Sequence, residues 1–275
     1  MHPKGSKGAS RNRLALRDKC LHNGPMPARR AGREKARGAV SLTYDGTSAT
    51  HLHDVLPVLE AHGLHGTFYA NPTALLDAPQ PWRKVWAQGH EIGNHSLFEL
   101  ADADGLLPET SPDAIYEDVR ETERLLEELF PGTPRSLAMP AVRGFTETLN
   151  PTVPPILRAS IIRLNDQTCK RAASLFEVVR SPHDGLNRPG DVLLGAVRTM
   201  VADGMDTDSL CLVTEIAMSQ RAWIVFVFDG LRDHPMDRPS HDAFCKWLGE
   251  HRQQVEVLPV VRAAEQFRPK TPQPR

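Results

Sequence analysis

Three short segments place residues that could move a proton or hold a metal ion directly after an apolar run. They are residues 44–47 (YDGT), 94–99 (NHSLFE) and 228–230 (FDG). Carboxylate and imidazole side chains can act as general bases or as ligands of a divalent cation. Because the parallel strands of an α/β fold bring their carboxyl ends to one edge, we expect the three segments to meet there.

The elements that would position these segments alternate along the chain. Amphipathic stretches separate short apolar runs, and this pattern predicts parallel strands with helices outside them. Seven or eight such units favour a barrel of parallel strands over an open sheet. The strand candidates are 39–44, 66–70, 90–94, 136–139, 160–164, 176–180, 223–228 and 255–258; the helix candidates are 51–62, 81–88, 112–130, 208–219 and 240–252.

The composition describes a globular chain with an uneven distribution of charge. Of the 275 residues, 40% are hydrophobic and 24% are charged, and 33 Lys and Arg face 34 Asp and Glu. This balance excludes a uniformly basic nucleic-acid-binding protein. The cysteines form no Cys-x-x-Cys pair, so they indicate neither a zinc knuckle nor a disulfide framework. They are Cys20, Cys169, Cys211 and Cys245.

The first 38 residues carry an excess of positive charge, because they contain eleven Lys and Arg but only Asp18 and Glu34 as acids. This segment lacks apolar periodicity, so we predict a disordered basic tail over 1–38, a catalytic domain over 39–267 and a loose tail over 268–275. The basic tail is the only hint of nucleic-acid binding. No apolar stretch suits a secretion signal or a membrane span, so the sequence predicts a cytoplasmic protein.

The motifs resemble those of the polysaccharide deacetylases that carry the NodB homology domain, carbohydrate esterase family four. The resemblance extends over 39–267 and rests on SLTYDG at 41–46, HGLHGTFYANP at 62–72, GHEIGNHS at 89–96 and WIVFVFDG at 223–230. It implies a distorted (β/α) barrel of about seven parallel strands and the metal-assisted hydrolysis of an N-acetyl group. In this chemistry a metal acidifies a bound water and polarises the amide carbonyl, while a carboxylate takes the proton of the water.

The chain departs from the family pattern at its catalytic motifs. The first family motif has two Asp residues, a base and a metal ligand, whereas this chain has only Asp45, which takes one role or the other. The second motif retains His95 but has Glu99 at its second His position. The late motif has Asp229 at the position of a His that helps to protonate the leaving amine. The third motif is only loosely kept at 139–143, where a Pro follows a strand and Arg143 could pair with a carboxylate.

These departures leave two arrangements open. Glu99 lies four residues after His95, so both can face one side of a helical turn, and Asp45, His95 and Glu99 could form a metal site. Zinc is the first expectation, and the second carboxylate shifts the preference toward manganese or nickel. His51 is a further ligand candidate. If Asp45 is instead the base, the motifs supply only His95 and Glu99, which would bind a metal weakly.

The leading hypothesis is therefore a metal-dependent hydrolase of a non-peptide carbon–nitrogen bond that deacetylates an N-acetylated sugar or a small amide. Asp45, Asp229 and Arg143 are its candidate catalytic residues. The alternative is a catalytically inactive protein of the same fold that binds a glycan or a protein. A third idea makes the basic tail an RNA-binding arm, whose binding would weaken steeply with salt.

Overall fold

The computed structural model of the protein describes residues 38–96, 112–138, 167, 170–171, 174–228 and 238–269. Within these ranges the chain alternates strands with helices, as the apolar periodicity predicted. The strands are β1 (Ala39–Asp45), β2 (Thr67–Ala70), β3 (Glu91–Asn94), β4 (Leu137–Ala138), β5 (Val179–Asp184), β6 (Val197–Val201), β7 (Trp223–Phe228) and β8 (Glu256–Val257).

Helices connect these strands and cover their outer side. A π-helical turn, His51–Val55, leads directly into the first α-helix, and a 3₁₀ turn, Leu194–Ala196, precedes β6. The α-helices are α1 (Leu56–Ala61), α2 (Pro72–Asp77), α3 (Pro79–Ala87), α4 (Pro112–Leu129), α5 (Thr207–Ser219), α6 (Arg238–Glu250) and α7 (Val260–Phe267). None of the helices in the described ranges is long and apolar enough to cross a membrane.

The strands form a closed parallel barrel. The pairing order runs from β2 through β3, β4, β5, β6 and β7 to β1, and β1 also pairs with β2, which closes the ring of seven strands. Every one of these pairings is parallel, and β8 adds to β1 outside the ring. The predicted barrel of parallel strands is therefore confirmed. Its carboxyl-terminal rim gathers the ends of β1, β3, β4 and β5.

The alternation of side chains along β1 divides the core into two layers. All seven positions of β1 are buried, because odd positions such as Thr43 and Asp45 face the barrel interior while Leu42 and Tyr44 pack against the helices. At the amino-terminal end of the strands, α7 closes the barrel with a buried apolar cluster that includes Trp223 and Phe267, whose rings lie 5.8 Å apart.

Two strands differ from the sequence expectation. The candidate strand at 176–180 lies three residues later, as β5, and β6 was not predicted at all. The sequence of β6, VRTMV, mixes a charged and a polar residue with apolar ones, so its hydrophobic pattern is weak. The candidate strand at 160–164 lies outside the described residues.

Candidate active site

Asp45 is the last residue of β1 and lies at the carboxyl-terminal rim with only 6% of its surface exposed. Gly46 follows with a φ of 69°, a left-handed conformation that residues with a Cβ rarely adopt. The Gly46 N–H donates to the carbonyl of Tyr69 at 2.9 Å. This glycine therefore ends the strand while it keeps pairing with β2, and the Asp45 carboxylate is held at a fixed place on the rim.

Arg180 is the residue that meets Asp45. It is the second residue of β5, and its side chain is only 1% exposed. Its Nη1 donates to Oδ1 of Asp45 at 2.7 Å, and its Nη2 donates to Oδ2. This two-pronged geometry matches the planar guanidinium to the carboxylate, and such charge-assisted bonds are the stronger kind. Both oxygens of Asp45 are thus occupied by one cation.

Further contacts fix the guanidinium in this position. Nη1 of Arg180 also donates to Oγ1 of Thr43 at 2.9 Å, and the Thr43 hydroxyl in turn donates to the carbonyl of Phe226 at 2.7 Å. The guanidinium carbon lies 4.6 Å from the centre of the Tyr69 ring, which is a cation–π contact. The guanidinium is therefore held at its nitrogens by hydrogen bonds and on its flat face by the Tyr69 ring.

A column of hydrogen bonds supports the Tyr69 ring from below. The Tyr69 hydroxyl and Oγ of Ser136 lie 2.7 Å apart, and Ser136 donates to Oε1 of Glu91 at 2.6 Å. Because the Ser136 proton is used on Glu91, Tyr69 is the donor in its own bond to Ser136. Burial raises the pKa of Tyr69, which keeps the phenol protonated in this role. The column runs from the rim to the amino-terminal end of the barrel.

The charge state of Asp45 follows from its surroundings. Burial by itself would raise the pKa of this carboxyl, but the neighbouring charge of Arg180, followed by that of His95, lowers it below its ordinary value of 3.8. Asp45 is consequently an ionised carboxylate at any pH near neutrality. A carboxylate with a lowered pKa is a poor proton acceptor but an effective partner for a positive charge.

His95 is the second rim residue of the sequence prediction that the structure brings to this place. Its Nε2 lies 3.9 Å from Oδ2 of Asp45, and its Nδ1 lies 3.2 Å from the carbonyl of Ala138. A carbonyl can only accept, so Nδ1 carries the proton and Nε2 of the neutral ring keeps its lone pair. With 17% of its side chain exposed, His95 can present this lone pair to a molecule at the rim.

The turn after β3 determines where His95 points. Asn94 donates from its side-chain amide to the carbonyl of Val119 in α4 at 3.0 Å. Its other side-chain atom, Oδ1, accepts from the N–H of Ser96 at 2.9 Å, and Ser96 has a φ of 74°, which is uncommon for a residue with a Cβ. The Ser96 hydroxyl donates to Asp118 of α4. The strained turn is therefore bound to α4 on both sides of His95.

The remaining predicted residues fall into two groups. His51 is fully buried, and its ring packs 5.9 Å from Tyr44 and 5.8 Å from Phe68, in the layer between the barrel and the helices. It still contributes to the lowered pKa of Asp45. Glu99, Arg143 and Asp229 lie outside the described residues, so their predicted roles stay predictions.

The described residues do not fit a divalent metal by themselves. His95 has the arrangement of a metal ligand, since its Nδ1 proton is bound to a carbonyl while Nε2 is presented at the rim. Asp45 does not, because both of its oxygens accept from Arg180. Among the residues that the structure describes, no group of three His, Cys, Asp or Glu side chains could hold a metal ion.

Sequence reasoning missed Arg180 and its support by Tyr69. Arg180 was only the last residue of a strand candidate, and the proposed carboxylate partner was Arg143. A signal was present, because a buried strand that contains an arginine must supply that charge with an acidic partner. The sequence could not identify the partner, since 135 positions separate Arg180 from Asp45.

Comparisons with known proteins agree with the fold and with the rim motifs. The family model described as polysaccharide deacetylase matches residues 32–152. A chitooligosaccharide deacetylase of Bradyrhizobium sp. (strain ANU 289) is 29% identical over 104 residues, 37% of this chain and 45% of the relative. Another of that name, from Sinorhizobium fredii, is 38% identical over 60 residues, 22% of this chain and 28% of the relative. The chain thus spans less than half of these relatives' length.

A solved structure shows the same fold. A CE4 family pseudoenzyme from Bacillus anthracis superposes with a TM-score of 0.53 at 16% identity, over 84% of this chain and 66% of that chain. The barrel and its rim motifs define a NodB-like (β/α) barrel. With the family match over residues 32–152, they make the chain similar to the polysaccharide deacetylases, whose family model covers less than half of it.

Proposed function

We propose that this protein removes N-acetyl groups from an N-acetylated sugar oligomer by hydrolysis of the amide bond. The observation that carries the proposal is the pairing of an ionised carboxylate with a histidine at the barrel rim, with Nε2 of His95 3.9 Å from Asp45. The chitooligosaccharide deacetylases with which the chain shares sequence support an acetylated amino sugar as substrate.

In this proposal His95 and Asp45 have different roles. Nε2 of His95 has the lone pair that accepts the proton of the attacking water. Asp45, held ionised by Arg180, stabilises the imidazolium that results, because opposite charges attract strongly where water is scarce. The same proton on His95 is then available for the leaving amine. Asp45 thus acts as a charge partner in this scheme, and no step requires it to accept a proton.

A divalent ion on Asp45 would compete with Arg180, which donates to both of its oxygens. Nε2 of His95 could bind an ion only in place of accepting the proton of the water, and Glu99 stays a predicted ligand. A divalent ion would supply polarisation of the amide carbonyl, which is the role that the family resemblance implies.

The test is an assay of free amine release from chitooligosaccharides of increasing length, with the full chain and with His95→Ala and Asp45→Asn variants. We expect a loss of at least about 100-fold in kcat/KM for His95→Ala, the usual size of a general-base contribution. His53 is an exposed histidine of the π-helical turn, so His53→Ala is the matched control and should keep native turnover. Unchanged turnover in His95→Ala would refute the proposed role.

A second candidate is a protein that binds the acetylated sugar without hydrolysing it. The observation in its favour is that Arg180 occupies both oxygens of Asp45, so the carboxylate is neither a free base nor a free ligand. Binding of chitooligosaccharide by calorimetry, with no acetate formed over days in the presence or absence of added zinc, would favour this function over the enzyme.

A further inference from the structure

The position of Arg180 in the barrel decides what can reach Asp45. Arg180 lies beside Ala138 in the register between β4 and β5, and its side chain crosses the barrel interior to β1. The arginine is fully buried. The positive charge beside Asp45 therefore comes from a buried side chain and not from a surface residue that could turn toward solvent.

The guanidinium and the carboxylate satisfy each other. Two nitrogens of Arg180 take the two oxygens of Asp45, and Thr43 accepts a further bond from Nη1. A buried carboxylate needs one opposite charge and hydrogen bonds, and this arrangement gives it both. A divalent cation on Asp45 would have to displace the guanidinium while its positive charge stayed a few ångströms away, which like-charge repulsion opposes.

The barrel also leaves the guanidinium little room to move aside. Tyr69 lies across its face, and the neighbouring strand keeps Tyr69 in place, because a Cβ at Gly93 would lie only 2.6 Å from the tyrosine ring. The Tyr69 hydroxyl is tied to Ser136, and Ser136 to Glu91. Release of Asp45 by Arg180 would therefore break a packed set of contacts and not a single flexible ion pair.

From these contacts we infer that the guanidinium of Arg180 is the resident cation of this site and that Asp45 is not a ligand of a divalent metal in the native protein. Removal of Arg180 creates such a site. The freed Asp45 oxygens and Nε2 of His95 would then face each other at 3.9 Å, close to the separation of about 3.4 Å between two ligands of a tetrahedral zinc ion. The inference concerns the same residues as the proposed function.

Calorimetric titration of the EDTA-treated full chain with Zn²⁺, Mn²⁺ and Ni²⁺, each ion separately, tests this inference. We expect Arg180→Met to bind one ion at least ten-fold more tightly than the native protein, and Asp45→Asn/Arg180→Met to lose that gain. The matched control is Arg198→Met, since Arg198 is a half-exposed arginine on β6 that pairs with Asp191. Equal affinity of the native protein and Arg180→Met overturns the inference.

A second measurement needs only the native protein, in case Arg180→Met does not fold. The side-chain carboxyl ¹³C resonance of Asp45 is followed while Zn²⁺ is added to one equivalent and beyond. A resonance that stays in place supports the inference even if an ion binds elsewhere, for example through His95. A shift or loss of the Asp45 signal that saturates at one equivalent overturns it.

The two proposals can fail separately. Deacetylation that requires an added ion, together with an Asp45 resonance that responds to that ion, would contradict the resident-cation inference and leave the proposed function intact. Absence of deacetylation under all conditions would contradict the proposed function, whereas the titrations would still decide whether Asp45 is a ligand.

Discussion

The ion pair between Asp45 and Arg180 lies where water has almost no access. The side chain of Asp45 is 7% exposed and that of Arg180 is 1% exposed. Such a pair is weak evidence for high stability, because the removal of two charges from water costs nearly as much as their attraction returns. The loss of one partner is a different matter, since it leaves the other charge buried and alone.

A double-mutant cycle on this pair should show strong coupling. We expect Arg180→Met to lower the free energy of unfolding by about 3–5 kcal/mol, because it leaves the Asp45 carboxylate buried without a cation. In Asp45→Asn/Arg180→Met the loss in free energy of unfolding should be about 2 kcal/mol smaller than the sum of the losses in the two single variants. Urea unfolding at pH 7 measures all four proteins.

The control for this cycle is an exposed pair on α4, Arg124 with Glu121, whose coupling should stay below about 0.5 kcal/mol. Additive losses at Asp45 and Arg180, within the same margin, would mean that the two residues do not stabilise each other in solution.

At the scale of elements, Glu91 joins three parts of the barrel. Its Oε1 accepts from the N–H and the hydroxyl of Ser136, and its Oε2 accepts from the Thr67 hydroxyl and from the N–H of Val261 in the first turn of α7. Burial raises the pKa of Glu91, and these four hydrogen bonds oppose that rise. One carboxylate thus connects the starts of β3 and β2 and the residue before β4 to the helix that closes the barrel.

Glu91→Gln should weaken the attachment of α7. In this variant an NH₂ group takes the place of one carboxylate oxygen and faces the donors that this oxygen served. At least one buried N–H then loses its acceptor, which costs about 2–3 kcal/mol. We expect faster hydrogen exchange in residues 260–267 and a lower free energy of unfolding. Glu265→Gln is the control, because Glu265 is an exposed residue of α7 that pairs with Arg262, and it should change stability by less than about 0.5 kcal/mol. Equal exchange in the two variants would contradict this role of Glu91.

His90 should make the stability of the barrel near the starts of β2 and β3 depend on pH. It lies 4% exposed, and its Nδ1 accepts from the N–H of Gly66 at 3.1 Å, so the ring is neutral at this nitrogen. Burial, with a smaller effect of the nearby His65, lowers the pKa of His90 to about 4. The unfolded chain, with an ordinary pKa of 6.5, binds this proton first. The stability that His90 contributes is therefore complete above pH 6.5 and falls as the pH drops toward 4.

We expect the free energy of unfolding to decrease by up to about 3 kcal/mol between pH 6.5 and pH 4 through this residue. His90→Asn should flatten that part of the profile, since its carbonyl can accept the Gly66 bond without a titrating group. The exposed His53→Asn variant should keep the native profile. Denaturant unfolding across this pH range gives the answer, and an unaltered slope in His90→Asn would contradict the assignment.

For the whole molecule, the ring of strands is closed through β1. β1 pairs with β2 and β7 and carries β8 at its start, so it has three partner strands. The chain enters this strand from Gly38, whose Cβ, if added, would meet the Ala222 carbonyl at 2.7 Å. Gly38 therefore packs closely against the residue before β7.

Deletion of residues 1–37 should leave the barrel intact. We expect the midpoint of thermal unfolding to change by less than about 2 °C, because this segment lacks the apolar periodicity of a core element. Differential scanning calorimetry compares the two chains, and a shorter deletion of residues 1–20 serves as the control. A fall of more than about 5 °C would show that the basic segment packs against the barrel.

The sequence by itself determined the class of fold and two residues of the rim. The apolar runs of β1, β2, β3 and β7 and the helix at 112–130 are local patterns, and the barrel follows from their alternation. Asp45 and His95 were predictable because the first ends a strand and the second follows one, and parallel strands bring these ends to the same edge. The predicted roles of Glu99, Arg143 and Asp229 remain predictions.

Only the tertiary structure decided which charge meets Asp45. The pair depends on the register of β5 and on closure of the ring, which bring Arg180 across the interior to a residue 135 positions away. No local pattern encodes such a contact, because hydrophobic periodicity determines which face a residue occupies and not which distant side chain it faces. The consequence for function is that the single aspartate of the first motif is paired with an arginine inside the barrel.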